Sequence, residues 1–177
     1  KRKFGEVFKA VLDSQRNYII IYPNNDLGSD TIIDLYVKSE GKYENLFFQK
    51  SFPFETFLVL LKNADFIIGN SSAGIREACV YGVPCIDIGS RQAGRYNPRV
   101  LRNICHVEEQ YGAIRKAIEK AKEYRVKSRY FGLGNSAELF EQAVVEEIKA
   151  DTKIQKCFVD TDETQKKLQK YINEVLF

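Results

Sequence analysis

Residues 65–77 read DFIIGNSSAGIRE: an apolar run, then small and polar residues, then the beginning of a helix-forming segment. A short apolar run that ends at a glycine is typical of a buried strand, and small residues after it allow a tight turn. The stretch therefore predicts a strand, a turn and a helix in immediate succession, which is the core of a βα unit.

Four further apolar runs of strand length flank this stretch, and amphipathic segments lie between them. The pattern predicts strands at 18–22, 45–50, 65–68, 84–88 and 103–107, and helices at 3–16, 29–39, 53–62, 74–81, 109–124 and 136–149. A polar segment at 150–160 precedes a last helix ending at Leu176 and Phe177. Strands that alternate with helices favour a parallel sheet, so we predict a single α/β domain over residues 1–177, Rossmann-like with helices on both faces.

Composition excludes several classes of protein and of site. The 177 residues include 27 Lys and Arg against 24 Asp and Glu, and a net charge of +3 with mixed signs predicts no nucleic-acid partner. The apolar runs are much shorter than the about 20 residues that cross a bilayer, and no secretion signal is visible, so we expect a cytoplasmic protein with no membrane partner. Four cysteines without a Cys-x-x-Cys pair and a single histidine predict no metal site.

The chain contains no methionine, so we expect it to be part of a longer protein.

A parallel sheet binds its ligands beyond the carboxyl ends of its strands, here residues 24–29, 51–54, 69–74 and 89–95. In the third segment, the free N–H groups of a helix's first turn and the hydroxyls of Ser71 and Ser72 suit a phosphate. Capping of the helix by either serine is an equally good explanation. The Gly-x4-Gly spacing resembles part of the phosphate-binding loop of nucleoside triphosphatases. Ile75 and Arg76 stand where that loop has Lys and Ser or Thr, which argues against Mg-ATP chemistry.

Two charged groups are expected beside this turn. The segment GSRQAGR at 89–95 brings Arg91 and Arg95 to the same edge, where a guanidinium can bind phosphate through two hydrogen bonds. A basic surface loop is the alternative for this segment. Glu77 is expected within the helix's first turn, where its carboxylate either complements the helix dipole or accepts hydrogen bonds from a ribose diol.

Five segments, in order, resemble the C-terminal half of hydrolysing UDP-N-acetylglucosamine 2-epimerases, in the branch that makes N-acetylmannosamine for sialic acid. They are YPNNDLGS at 22–29, SFPF at 51–54, GNSSAGIRE at 69–77, YGVP at 81–84 and GSRQAGR at 89–95. The resemblance covers residues 1 to about 140. It implies the UDP-binding half of a two-domain architecture of the GT-B type, with the N-terminal catalytic half absent from this chain.

The resemblance also implies which residues bind UDP. They are Phe52, Ser71, Ser72, Gly74, Glu77 and Arg91. Phe52 would hold the uracil through its backbone and Glu77 the ribose hydroxyls, while the two serines would hold the diphosphate. Arg91 would neutralise the diphosphate and act as the catalytic group. Asp26 and Arg95 are weaker candidates, and a turn-forming role explains Asp26 equally well.

In this family the bond from the sugar to UDP breaks by elimination across C1 and C2, and water adds to the glycal to release the epimerised sugar. The acid and base carboxylates come chiefly from the N-terminal half, so residues 1–177 alone are expected to be inactive. The complete enzyme is expected to be a homo-oligomer without a cofactor, acting on UDP-N-acetylglucosamine or a 2,4-diacetamido relative.

Two alternatives stay open. One is the donor-binding domain of a GT-B glycosyltransferase, which the arginine segment fits less well than it fits the epimerases. The other is a non-catalytic nucleotide-binding or receiver-like module. A receiver needs acidic residues at successive strand ends, whereas this chain has Pro23, Ser51, Asn70 and Gly89 there.

Overall fold

The computed structural model describes residues 2–150, which fall into two compact units that meet in sequence between Gly132 and Leu133. The first unit contains α1 (Arg2–Asp13), β1 (Tyr18–Ile21), α2 (Ser29–Ser39), β2 (Leu46–Gln49), α3 (Phe54–Asn63), β3 (Ile67–Gly69), α4 (Ala73–Tyr81), β4 (Cys85–Ile88), β5 (Ile104–Val107), α5 (Tyr111–Lys120) and a 3-10 helix (Ala121–Tyr124). The second unit contains α6 (Ser136–Lys149). The last helix predicted from the sequence, and the polar segment before it apart from Ala150, lie outside the described residues.

All strand pairs within residues 2–150 are parallel, as the alternation of strands and helices predicts. Backbone hydrogen bonds divide the strands into a two-stranded sheet, β1–β2, and a three-stranded sheet in the order β3–β4–β5. Side chains connect the two sheets, because the ring of Tyr18 lies 6.0 Å from that of Phe66, and Ile68 packs against the cores of both. The predicted Rossmann-like α/β class is therefore confirmed.

Helices cover both faces of the three-stranded sheet. On one face, Ile86 and Ile88 pack against Ala10 of α1 and Ile114 of α5. On the other face, Ile75 of α4 belongs to a second buried cluster. Side chains of β4 are thus enclosed from both sides, which explains the nearly continuous apolar run of this strand.

The position of α4 depends on one glycine. A Cβ atom added at Gly74 would overlap Sγ of Cys85 on β4, so only a residue without a side chain lets the helix lie this close to the sheet. The close approach places the first turn of α4 against β4. At the other end, Gly82 adopts a left-handed conformation with φ of 72°, and its N–H closes the helix on carbonyl groups of the last turn.

None of the helices in residues 2–150 combines the length and the hydrophobicity that a membrane-spanning segment requires.

Candidate functional site

The loops that follow β1, β3 and β4 meet at the carboxyl edge of the strands. Nη2 of Arg91 lies 3.1 Å from Oδ2 of Asp26. Nε2 of Gln92 donates a hydrogen bond of 2.6 Å to the carbonyl oxygen of Asn70. Three of the four segments expected to hold a ligand are therefore joined by side-chain contacts. The segment at 89–95, called the arginine loop below, contacts both of the others.

The turn between β3 and α4 leaves Ser71 and Ser72 exposed. Oγ of Ser71 accepts a hydrogen bond of 3.3 Å from the N–H of Ala73. The N–H groups of Gly74 and Ile75 bond to the carbonyl oxygens of Ser71 and Ser72 at 3.2 and 3.0 Å. The prediction that these first-turn amides are free is therefore wrong, whereas the side chains of Ser71 and Ser72 are exposed.

A surface cavity of about 200 Å³ lies between α3 and α4. Its lining residues are Phe54, Leu58, Arg76, Glu77, Val80 and Tyr81. Oε2 of Glu77 is buried and has no hydrogen-bond partner in the part of the chain that the structure describes. Burying such an oxygen without a partner costs about 1–3 kcal/mol, so this carboxylate is an unusual group in the packing of α4.

The position of Glu77 differs in one respect from the prediction. Glu77 is the fifth residue of α4, and no acidic residue lies in the first turn of this helix. The expectation that Glu77 lies in the first turn is therefore wrong. Because the dipole effect falls off beyond the first turn, it does not explain a buried carboxylate at this position.

Phe52 and Arg95 are not among the residues that line the cavity. Phe52 is half-buried, and it is its neighbour Phe54, at the beginning of α3, that lines the cavity. Arg95 is exposed, and its Nη1 donates a hydrogen bond of 3.3 Å to Oε1 of Gln92. The cavity position of Phe54 was not predicted, because it depends on how α3 and α4 pack together.

A buried carboxylate lies beneath the arginine loop. Asp87 on β4 is 1% exposed, and its Oδ2 lies 3.1 Å from Nδ1 of His106 and 3.4 Å from the hydroxyl of Tyr96. Burial, together with the charge of Asp87, raises the pKa of Tyr96 to about 12. The Tyr96 hydroxyl therefore stays protonated at neutral pH and donates to the carboxylate. An acidic residue inside an apolar strand was the one sequence signal for this cluster.

Among the described residues, no group of three or more His, Cys, Asp or Glu side chains is arranged to hold a metal ion.

Similarity to known proteins identifies the family of the chain. The family profile for UDP-N-acetylglucosamine 2-epimerase matches residues 1–171. The chain belongs to this family. The UDP-N-acetylglucosamine 2-epimerase of Neisseria meningitidis serogroup B is 45% identical over 117 residues, which are 66% of this chain and 30% of that protein. The UDP-N,N'-diacetylbacillosamine 2-epimerase (hydrolyzing) of Legionella pneumophila is 30% identical over 126 residues, which are 69% of this chain and 32% of that protein.

A solved structure shares the fold. The crystal structure of the Methanocaldococcus jannaschii UDP-GlcNAc 2-epimerase in complex with UDP-GlcNAc and UDP matches with a TM-score of 0.67 and 19% identity. The match covers 81% of this chain and 41% of that one. This epimerase-family chain thus spans about a third of the length of its curated relatives and less than half of the solved structure.

Proposed function

We propose that this chain is the UDP-binding domain of a hydrolysing UDP-N-acetylglucosamine 2-epimerase. The observation that carries the proposal is that Glu77 lines the cavity between α3 and α4 and has a carboxylate oxygen, Oε2, that is buried without a hydrogen-bond partner among the described residues. A ribose presents two adjacent hydroxyl donors, which would give this carboxylate the partners it lacks. Phe54, Leu58 and Val80 provide an apolar wall for the rest of the nucleoside, and the backbone at Phe52 is the proposed contact for the uracil.

The diphosphate would lie toward the beginning of α4. Ser72 precedes Glu77 by five residues, which corresponds to about 7.5 Å along a helix axis. A ribose bound at Glu77 can therefore direct its 5′ phosphates toward the exposed hydroxyls of Ser71 and Ser72. Gly74 contributes by letting the helix approach the sheet. Arg91, on the neighbouring loop, supplies the positive charge that a diphosphate requires.

In the complete enzyme, the bond from sugar C1 to the UDP oxygen breaks by elimination across C1 and C2, and UDP leaves with its phosphate charge increased. Water then adds to the glycal, and N-acetylmannosamine is released. The guanidinium of Arg91 would stabilise UDP more strongly as the bond breaks, which lowers the barrier. The acid and base carboxylates come chiefly from the other half of the enzyme, so residues 1–177 alone would bind UDP without converting the sugar nucleotide. We further propose a cytoplasmic homo-oligomer in the sialic-acid branch.

The Glu77→Gln substitution tests the proposed contact between Glu77 and the ribose. The amide keeps the shape of the side chain but is a weaker acceptor, so the Kd for UDP should rise roughly 5- to 30-fold, while the melting temperature stays nearly unchanged. Calorimetric titration measures the first quantity and thermal unfolding the second.

A matched control lies on the neighbouring helix. Glu55→Gln makes the same charge change at an exposed position in the first turn of α3, outside the cavity lining, and should bind UDP as the unmodified chain does. Loss of stability in Glu77→Gln with unaltered UDP binding would contradict the proposed ribose contact.

A further inference from the structure

The arginine loop, residues 89–95, contains one side chain that points inward. Gln92 is 1% exposed, whereas the residues from Ser90 to Arg95 on either side of it are exposed. Burying a carboxamide is costly unless its polar atoms are bonded. Gln92 meets this requirement twice, because its Nε2 donates to the carbonyl of Asn70 at 2.6 Å and its Oε1 accepts from Nη1 of Arg95 at 3.3 Å.

The first of these bonds connects separate parts of the fold. Asn70 belongs to the turn after β3 that carries Ser71 and Ser72, and Gln92 belongs to the loop after β4 that carries Arg91. A buried side chain of one loop is therefore bonded to the backbone of the other. The hydrogen bond fixes the distance between the two elements to which the proposed function assigns the diphosphate.

The far end of the arginine loop is held separately. The hydroxyl of Tyr96 reaches the buried carboxylate of Asp87, which His106 also contacts. Between Gly89, which follows β4, and Tyr96, only the buried side chain of Gln92 bonds the loop to the neighbouring turn among the described residues. Without it, the segment around Arg91 would keep its two ends but lose its middle support.

The side chain of Arg91 is only weakly fixed by its own contacts. Its side chain is 48% exposed, and its contact with Asp26 is an ion pair between two exposed groups, a kind of interaction that contributes little. The backbone next to it is fixed by Gln92. We propose that Gln92 is a positioning residue that acts through Arg91. Its hydrogen bond to Asn70 holds the arginine loop against the turn that carries Ser71 and Ser72, and this placement of Arg91 sets the affinity for the diphosphate. This inference rests on the proposed function.

The expected size of the effect follows from preorganisation. A ligand that must order a loop as it binds loses part of its affinity to that ordering. Removing the support of Gln92 should therefore weaken UDP binding on the order of tenfold, the consequence of losing the hydrogen bond to Asn70. Uridine has no phosphate to contact Arg91, so its affinity should change less than twofold.

A double-mutant cycle with Gln92→Met and Arg91→Ala tests the inference. Methionine fills nearly the same volume without the amide group, so it removes the hydrogen bonds to Asn70 and Arg95 while keeping the packing. Calorimetry with UDP and uridine is done on the 177-residue chain, the two single variants and the double variant. We expect Gln92→Met to lose about tenfold in UDP affinity in the wild-type background and less than twofold in the Arg91→Ala background, because a positioning residue has no effect once its target is gone.

Other outcomes would overturn the inference. A tenfold loss in both backgrounds, an equal loss for uridine, or a Gln92→Met variant that does not fold would each show a role that does not pass through Arg91. If Arg91→Ala weakens UDP selectively while Gln92→Met binds like the wild type, the inference alone is wrong. If the wild-type chain binds UDP no better than uridine, the proposed function is wrong and the inference fails with it.

Discussion

Replacing Arg91 with alanine should weaken the binding of UDP far more than the binding of uridine. The guanidinium is 48% exposed and lies 3.1 Å from the carboxylate of Asp26. A charge-assisted hydrogen bond to the diphosphate contributes on the order of 1.5–3 kcal/mol. The exposed ion pair with Asp26, which the phosphate must replace, is worth about 0–1 kcal/mol. The difference, about 0.5–3 kcal/mol, corresponds to a loss of roughly 2- to 150-fold in UDP affinity.

Calorimetric titration with UDP and with uridine at several salt concentrations measures this effect. In Arg91→Ala, the Kd for uridine should stay unchanged, and the dependence of UDP binding on salt should become flatter, because one screened charge contact is lost. Arg99→Ala removes the same charge from an exposed position a few residues later in the chain and serves as the control. Equal losses for UDP and uridine, or the same loss in both variants, would refute the assignment of Arg91 to the phosphates.

The remaining predictions concern a competing charge, a close contact and an ionisable group. Asp26→Asn should tighten UDP up to about fivefold, since the guanidinium it pairs with is freed for phosphate; weaker binding by calorimetry would contradict this. Gly74→Ala should destabilise the fold by about 1–3 kcal/mol in urea unfolding, with recovery when Cys85→Ala is added, whereas Gly5→Ala at an open helical position should stabilise it by roughly 0.5–1 kcal/mol. The raised pKa of Tyr96, about 12 against an ordinary 10, means that its contribution to stability is full below pH 10 and is lost toward pH 12. Tyr96→Phe should therefore lose less stability than the wild type in urea unfolding over that interval, and parallel losses would contradict the shift.

Local patterns predicted the elements of the fold. Each strand is a short apolar run that ends at Gly, Pro or a polar cluster, and each helix has apolar residues at helical spacing. Both patterns can be recognised in a short stretch of sequence without knowledge of distant contacts. The boundaries shifted where the backbone turns abruptly. The first helix, for example, ends at Asp13 and not at 16, because Gln15 adopts a left-handed conformation with φ of 54°.

The edge at which the loops after β1, β3 and β4 meet was predicted from the sequence, and its contacts were not. The rule that ligands bind beyond the carboxyl ends of parallel strands selected the loops that Arg91 and Gln92 connect. The burial of Gln92, by contrast, follows from how two loops meet, and nothing in the alternation of polar and apolar residues signals it. The same is true of the cavity at Glu77, which exists because α3 lies beside α4.

The central claim is that this edge binds UDP, and parallel calorimetric titrations of the chain with UDP, ADP and inorganic phosphate test it most directly. We predict that UDP binds most tightly, because only UDP offers the uracil, the ribose diol and the diphosphate together. ADP should bind more weakly, since it lacks the uracil that the backbone at Phe52 is proposed to contact, and phosphate should bind weakest of the three. Equal affinities for UDP and ADP, or no binding of UDP, would contradict the claim.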